Sequence, residues 1–205
     1  MTIKLGILIS GRGSNMQSIA RACRAGEVPA EVAVVVSNRA DAAGLAWASA
    51  EGIPTAVLGQ GDYENRKAHD AAIVERLRAA GVEWVCLAGY MRLLSSVFIE
   101  AFPDRVLNIH PSLLPSFPGL HGQRDAFEYG VKISGCTVHL VDLELDHGPI
   151  VVQRAVAVEG CGDAEALADR ILAEEHRAYP EALRRLLSEG WRIEGRRVVF
   201  GGPMV

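Results

Sequence analysis

Near its start the chain reads Ile3-Lys4-Leu5-Gly6-Ile7-Leu8-Ile9-Ser10-Gly11-Arg12-Gly13-Ser14-Asn15. Ile3 to Ile9 is apolar at almost every position, which predicts a strand covered on both faces of a parallel sheet. The glycine loop leads into a helix predicted from about Met16 to Ala25. Gly11-Arg12-Gly13 invites a dinucleotide fingerprint, but Met16 stands where its third glycine belongs. The next apolar run ends at Ser37-Asn38-Arg39, without the acidic residue that holds a ribose in that motif. No Gly-Lys-Ser/Thr ending makes it a nucleoside-triphosphate loop. What remains is a turn at a helix start, offering the amides of Gly13, Ser14 and Asn15 and the Ser14 hydroxyl. That suits a single phosphate. On spacing alone it equally suits a tight turn whose Ser or Asn caps the helix.

Outward from this stretch the same alternation repeats. Val32 to Val36 is a second strand, and Asp41 is the expected cap of an Ala-rich helix reaching Ala50. Thr55 to Leu58 forms a third strand, a long helix is expected from about Tyr63 to Ala80, and Trp84 to Ala88 makes a fourth strand. Strand, loop and helix in this order predict right-handed βαβ units and an α/β, doubly wound, mostly parallel sheet. Ligands of such sheets sit at the carboxyl ends of the strands, where the Gly11 loop, the Gly89 loop and His110 all fall. Further on, Ile133 to Val141 and Ile150 to Val158 predict an antiparallel strand pair. A helix near Arg124 to Tyr129 precedes them. A long C-terminal helix over about Asp163 to Ser188 follows, then a small hairpin from Trp191 to Phe200. Without repeats or linkers, residues 1–205 read as a single domain, with halves of about 1–100 and 101–205.

Composition narrows the functional classes. The 205 residues are 49% hydrophobic with a net charge of -4, enough for a substantial core. Scattered Lys and Arg argue against a nucleic-acid partner. Cys23, Cys86, Cys136 and Cys161 lie far apart, suggesting neither a zinc site nor a disulfide framework. Cys86 and Cys136, inside apolar runs, read as small buried hydrophobes. No signal peptide or membrane-length apolar run is present, so a soluble, cytoplasmic protein is expected.

A second stretch carries the chemistry. Val106-Leu107-Asn108-Ile109-His110 is a short apolar strand, and its period of two sends Asn108 and His110 to one side. Pro111, Pro115 and Pro118 then stiffen the exit. Alone, an Asn-x-His is more often a strand with a polar end than a site. The whole run Asn108-Ile109-His110-Pro111-Ser112-Leu113-Leu114-Pro115 resembles the signature of folate-dependent formyltransferases. Its continuation, Ser116-Phe117-Pro118-Gly119-Leu120-His121, is similar to the branch acting on a phosphoribosyl amine in purine synthesis. The resemblance extends from Ile3 to about Leu187.

The resemblance implies a Rossmann-like formyltransferase fold and transfer of a formyl group from 10-formyltetrahydrofolate to 5'-phosphoribosylglycinamide, with no metal. It implies catalytic roles for Asn108, His110 and Asp146, with His139 and Ser112 in support. The substrate phosphate falls to Gly11, Arg12, Gly13, Ser14 and Asn15. Folate falls to Met91, Arg92, Leu93, Leu94 and Asp142, together with Asn108 and Asp146. The substrate amine and ribose fall to Pro111, Gly119 and Glu175, although Glu175 alone would read as an exposed helix face. By their own pattern the Leu87 to Leu94 residues read more readily as core, and Asp146 as a turn former. His69 and His121 are read as structural, and Leu143 departs from the family pattern. A monomer or homodimer is expected. A formyltetrahydrofolate hydrolase, another formyltransferase, or a non-catalytic nucleotide sensor on the same sheet are the rival readings.

Overall fold

The computed structural model describes residues 2–201. The chain divides into two compact units, one ending at Asn108 and the other beginning at Ile109.

The first unit alternates strand and helix: β1 (Ile3–Ile9), α1 (Ser14–Arg24), β2 (Ala30–Ser37), α2 (Ala43–Ala50) and β3 (Thr55–Val57). A 3-10 turn (Gln60–Asp62), α3 (Arg66–Ala79), β4 (Trp84–Leu87), α4 (Ser96–Ala101) and the start of β5 (Val106–His110) complete it. Its strands are all parallel in the order β3-β2-β1-β4-β5. The chain thus builds outward from β1 in one direction and then restarts beside it with β4. The switch point lies between β1 and β4, and the loops that leave these two strands flank the crevice made there. Leu5, Ile7, Leu8 and Ile9 are fully buried, as the near-continuous apolar pattern predicts. Each such side chain contributes about 1.5–3 kcal/mol, enough to fix the strand in the middle of the sheet.

Two of the boundaries that differ from the sequence reading have a clear local cause. Asp41 does not cap α2: the N-cap is Ala42, without a side-chain bond. Instead the neighbouring Arg39 guanidinium claims the Asp41 carboxylate, at 3.0 and 2.7 Å. The long helix starts at Arg66 rather than near Tyr63, because Asn65 accepts a hydrogen bond from the Ala68 amide at 3.0 Å and sets the first turn there.

The second unit holds the end of β5, α5 (Gly122–Tyr129), β6 (Ile133–Leu140), β7 (Ile150–Ala157), α6 (Ala164–Ser188), β8 (Trp191–Glu194) and β9 (Arg197–Phe200). β6 and β7 pair antiparallel, as do β8 and β9, and β9 joins β7 at Ile150↔Arg197. Asp163 caps α6 by accepting from the Ala166 amide at 2.8 Å. The helix lays Leu167, Ile171, Ala178, Tyr179, Ala182, Leu183 and Leu186 onto β6 and β7, all buried at helical spacing.

Candidate active site

In the first unit the Gly11 and Gly89 loops line one open cleft of about 600 Å³, together with Asn38, Arg39, Gln60 and Met91. α1 begins at Ser14, two residues earlier than its periodicity suggests, so Ser14 and Asn15 belong to its first turn. Gly13 is the N-cap, left-handed at φ 71°, and no side chain caps the helix. The alternative of a Ser- or Asn-capped turn is therefore not what the chain adopts. A Cβ on Gly13 would stand 2.9 Å from the Met16 methyl and 3.2 Å from the Gly44 Cα, so both conformation and space demand glycine. α1 has no acidic residue in its first turn and carries Arg21 and Arg24 in its last, which leaves its positive end available to an anion. Arg12 is exposed at the cleft rim.

The strand ends are tied by Ser10. Its hydroxyl donates to the Asn38 side-chain oxygen at 2.7 Å and accepts the Met91 amide at 2.9 Å, while its own amide donates to the Gly89 carbonyl at 3.1 Å. From the other side, the buried Asp70 carboxylate accepts the Ser95 amide at 2.6 Å. The segment between these anchors is not core. Met91 is 63% and Leu93 53% exposed, an apolar edge that packing within the unit does not explain. Arg92 is half-buried and donates to the Gln60 side chain.

The second unit concentrates titratable groups. His110 and Asp146 are both buried, with His110 Nδ1 3.4 Å from Asp146 Oδ2. The other ring nitrogen, Nε2, donates to the Phe117 carbonyl at 2.8 Å. Both nitrogens thus face oxygen acceptors, and the contact with Asp146 is attractive only if a proton lies between them. Asp146 Oδ2 also accepts the Gly119 amide at 2.8 Å, and Oδ1 lies 3.9 Å from His139 Nε2. His139 donates through Nδ1 to the Leu140 carbonyl at 2.9 Å. Burial holds its imidazole below the ordinary histidine range, against the opposing pull of that carbonyl and of Asp146, so it is neutral at pH 7.

The proline loop is held rigidly. Thr137 donates to the Ser112 carbonyl at 2.7 Å and accepts the Leu114 amide at 3.0 Å. Gln153 donates to the Leu114 carbonyl at 2.9 Å, and the buried Ser112 hydroxyl donates to the Ser116 carbonyl. Pro111 and Gly119 bracket this segment, half-buried. Asn108 is half-buried, two residues before His110 on the same strand and so on the same side of it. Asp142 uses both oxygens within its own loop, accepting the Glu144 amide at 3.0 Å and His147 Nδ1–H at 2.7 Å. Glu175 is buried, contrary to the exposed helix face its local pattern suggests. It lies on the stripe of α6 that begins with Leu167 and Ile171, so tertiary packing, not solvent, surrounds it.

Some parts escaped the sequence. Ser10, Asn38 and Gln60 carry no local signal of their own, although the first two directly follow β1 and β2 at the predicted crevice. Gly122 escaped altogether: a Cβ there would lie 3.1 Å from His110 Nε2. Cys86 and Cys136 are buried as expected, and burial pushes the Cys136 thiol up to about 12. Among the described residues no group of His, Cys, Asp and Glu could hold a metal ion, and no helix is long and apolar enough to cross a membrane.

The chain belongs to the formyl transferase family, whose model matches residues 3–183. Within it, phosphoribosylglycinamide formyltransferase of Escherichia coli is 40% identical over 190 residues, covering 93% of this chain and 87% of that protein. The structure of glycinamide ribonucleotide transformylase 1 from Symbiobacterium toebii superimposes with a TM-score of 0.95 at 54% identity, covering 97% of this chain and 94% of the other. The trifunctional purine biosynthetic protein adenosine-3 of Drosophila pseudoobscura is 46% identical over 191 residues, and the chain spans only 14% of that relative's length.

Proposed function

We propose that the chain transfers the formyl group of 10-formyltetrahydrofolate to the amine of 5'-phosphoribosylglycinamide, as a cytoplasmic monomer or homodimer. The observation that carries the chemistry is the His110–Asp146 pair, buried and 3.4 Å apart. The amine attacks the formyl carbon and an oxyanion develops on the formyl oxygen. Asn108 donates to it through its amide N–H, and His110 supplies a second donor. Because Nε2 is committed to the Phe117 carbonyl, the nitrogen left for this task is Nδ1, beside Asp146. The amine nitrogen then loses a proton and the folate nitrogen gains one as its bond to the formyl carbon breaks. Asp146 is the group that passes this proton, directly or through water.

Binding follows from the remaining residues. The amides of Gly13, Ser14 and Asn15 at the start of α1 take the phosphate, with Gly11 completing the turn and Arg12 adding charge. Met91, Leu93 and Leu94 pack on the folate, with Arg92 and Asp142 at its polar edges; the exposure of Met91 and Leu93 supports this role. Pro111, Gly119 and the buried Glu175 serve the amine and ribose, and His139 and Ser112 support the pair. The test is a formyl-transfer assay with purified protein and both substrates. Formylated product and tetrahydrofolate should appear in equal amounts, and only when the amine is present. Formate released without the amine would instead identify a hydrolase.

A further inference from the structure

Asp146 sits at φ 50°, in the left-handed region, which is uncommon for a non-glycine residue and costs Asp less than most. Its carboxylate is held on one side by the Gly119 amide. Its backbone belongs to a loop between β6 and β7 in which Leu143 is 66% and Leu145 54% exposed, so apolar packing contributes little to fixing that loop. The C-terminal hairpin reaches it. Arg197 of β9 pairs with Ile150, the first residue of β7 after the loop, which sets the β8–β9 turn beside the loop's exit. From that turn Arg196 donates to the carbonyl of His147, the residue directly after Asp146, and to the His147 ring at Nε2. The ring is ready to accept: its Nδ1–H is turned to Asp142 at 2.7 Å, which leaves the lone pair on Nε2. A planar guanidinium with two donors can hold a carbonyl and a ring nitrogen at once.

We propose that Arg196 is a positioning residue that clasps the loop through His147 and keeps Asp146 in its left-handed, productive conformation. This rests on the reading that Asp146 acts in formyl transfer. His147 is the adaptor, joining Arg196 to Asp142 across the loop.

Three variants of the full chain test it: Arg196→Ala, Arg196→Lys and Asp146→Asn. Arg196→Ala should lower kcat about 5- to 10-fold, a modest displacement of a catalytic group, with KM for the amine within about two-fold. Without ligands, amide hydrogen exchange across residues 142–148 should accelerate at least about five-fold, while the thermal midpoint stays the same. Arg196→Lys keeps a donor and should restore part of both effects, which a purely structural loss would not show. If Asp146→Asn is inactive while Arg196→Ala turns over and exchanges like the parent, the clasp is refuted and the catalytic reading stands. If Asp146→Asn turns over like the parent, the reading beneath falls and the clasp's role falls with it.

Discussion

Gly122 shows how little room surrounds the His110 imidazole. A Cβ there would stand 3.1 Å from His110 Nε2 and 3.1 Å from the Phe117 carbonyl oxygen, the two partners of one hydrogen bond. Gly122→Ala should therefore wedge that bond apart, turn the ring and lower kcat by about 10-fold or more. Steady-state kinetics with an unchanged circular dichroism spectrum would report it, and normal turnover would mean the ring tolerates the shift. Asn108 makes a different prediction, since its proposed part is played only in the transition state. Asn108→Ala should bind both substrates as before and lose about 10² to 10³ in turnover; loss of binding instead would make Asn108 a ligand contact.

His139 adds a pH dependence with a definite sign. Burial lowers its value in the folded protein, whereas the unfolded chain protonates near about 6.5. Above that pH neither state binds the proton and this contribution to stability is fully present. As pH falls below it the unfolded state gains a proton that the folded state refuses, and stability declines until the folded value is reached. Urea midpoints measured between pH 8 and pH 5 should fall, and His139→Gln should flatten the slope. A slope that survives this substitution would assign the effect to other groups.

At the scale of elements, the start of α1 is where sequence, backbone and ligand chemistry meet. Gly13→Ala forces a side chain into a left-handed cap and against Met16 and Gly44. Calorimetry should show the phosphorylated amine binding at least about 10-fold more weakly, because the amides proposed to take the phosphate shift, while folate affinity changes little. Equal loss of both ligands would mean that the first unit as a whole has been disturbed. The Met91–Leu94 segment works the other way. Its amide anchors come from Ser10, directly after β1, and Asp70 of α3, so its apolar side chains are released from the core.

Across the molecule, the sequence is most legible where one physical rule dominates. The apolar runs of β1, β2 and β4 could only be buried parallel strands, and α6 declares its stripe through Leu167, Ile171, Ala178 and Leu186. Asn108 and His110 share a side because strand periodicity leaves no alternative. What stayed hidden depends on contacts distant in the chain. Asp41 is a local exception, drawn from the helix cap into an ion pair by Arg39 two residues away, and Glu175, although charged, is buried because it falls on the α6 stripe. Ser10's bridge to Met91 and Arg196's reach to His147 span 81 and 49 residues. The pairing of Asp146 with His110 is of this kind too: their roles came from family resemblance, and the fold supplies the contact.

Asp146→Asn keeps the shape and the hydrogen-bond acceptor for the Gly119 amide but removes the carboxylate that lies 3.4 Å from His110 Nδ1. The measurement is single-turnover formyl transfer by this variant, with both substrates at saturation and their dissociation constants determined in parallel. The predicted result is a rate lower by at least about 10²-fold with both affinities within a few-fold of the parent, the signature of a lost acid–base group. Transfer at the parent rate would contradict it, and the proton would have to travel by a path that does not include Asp146.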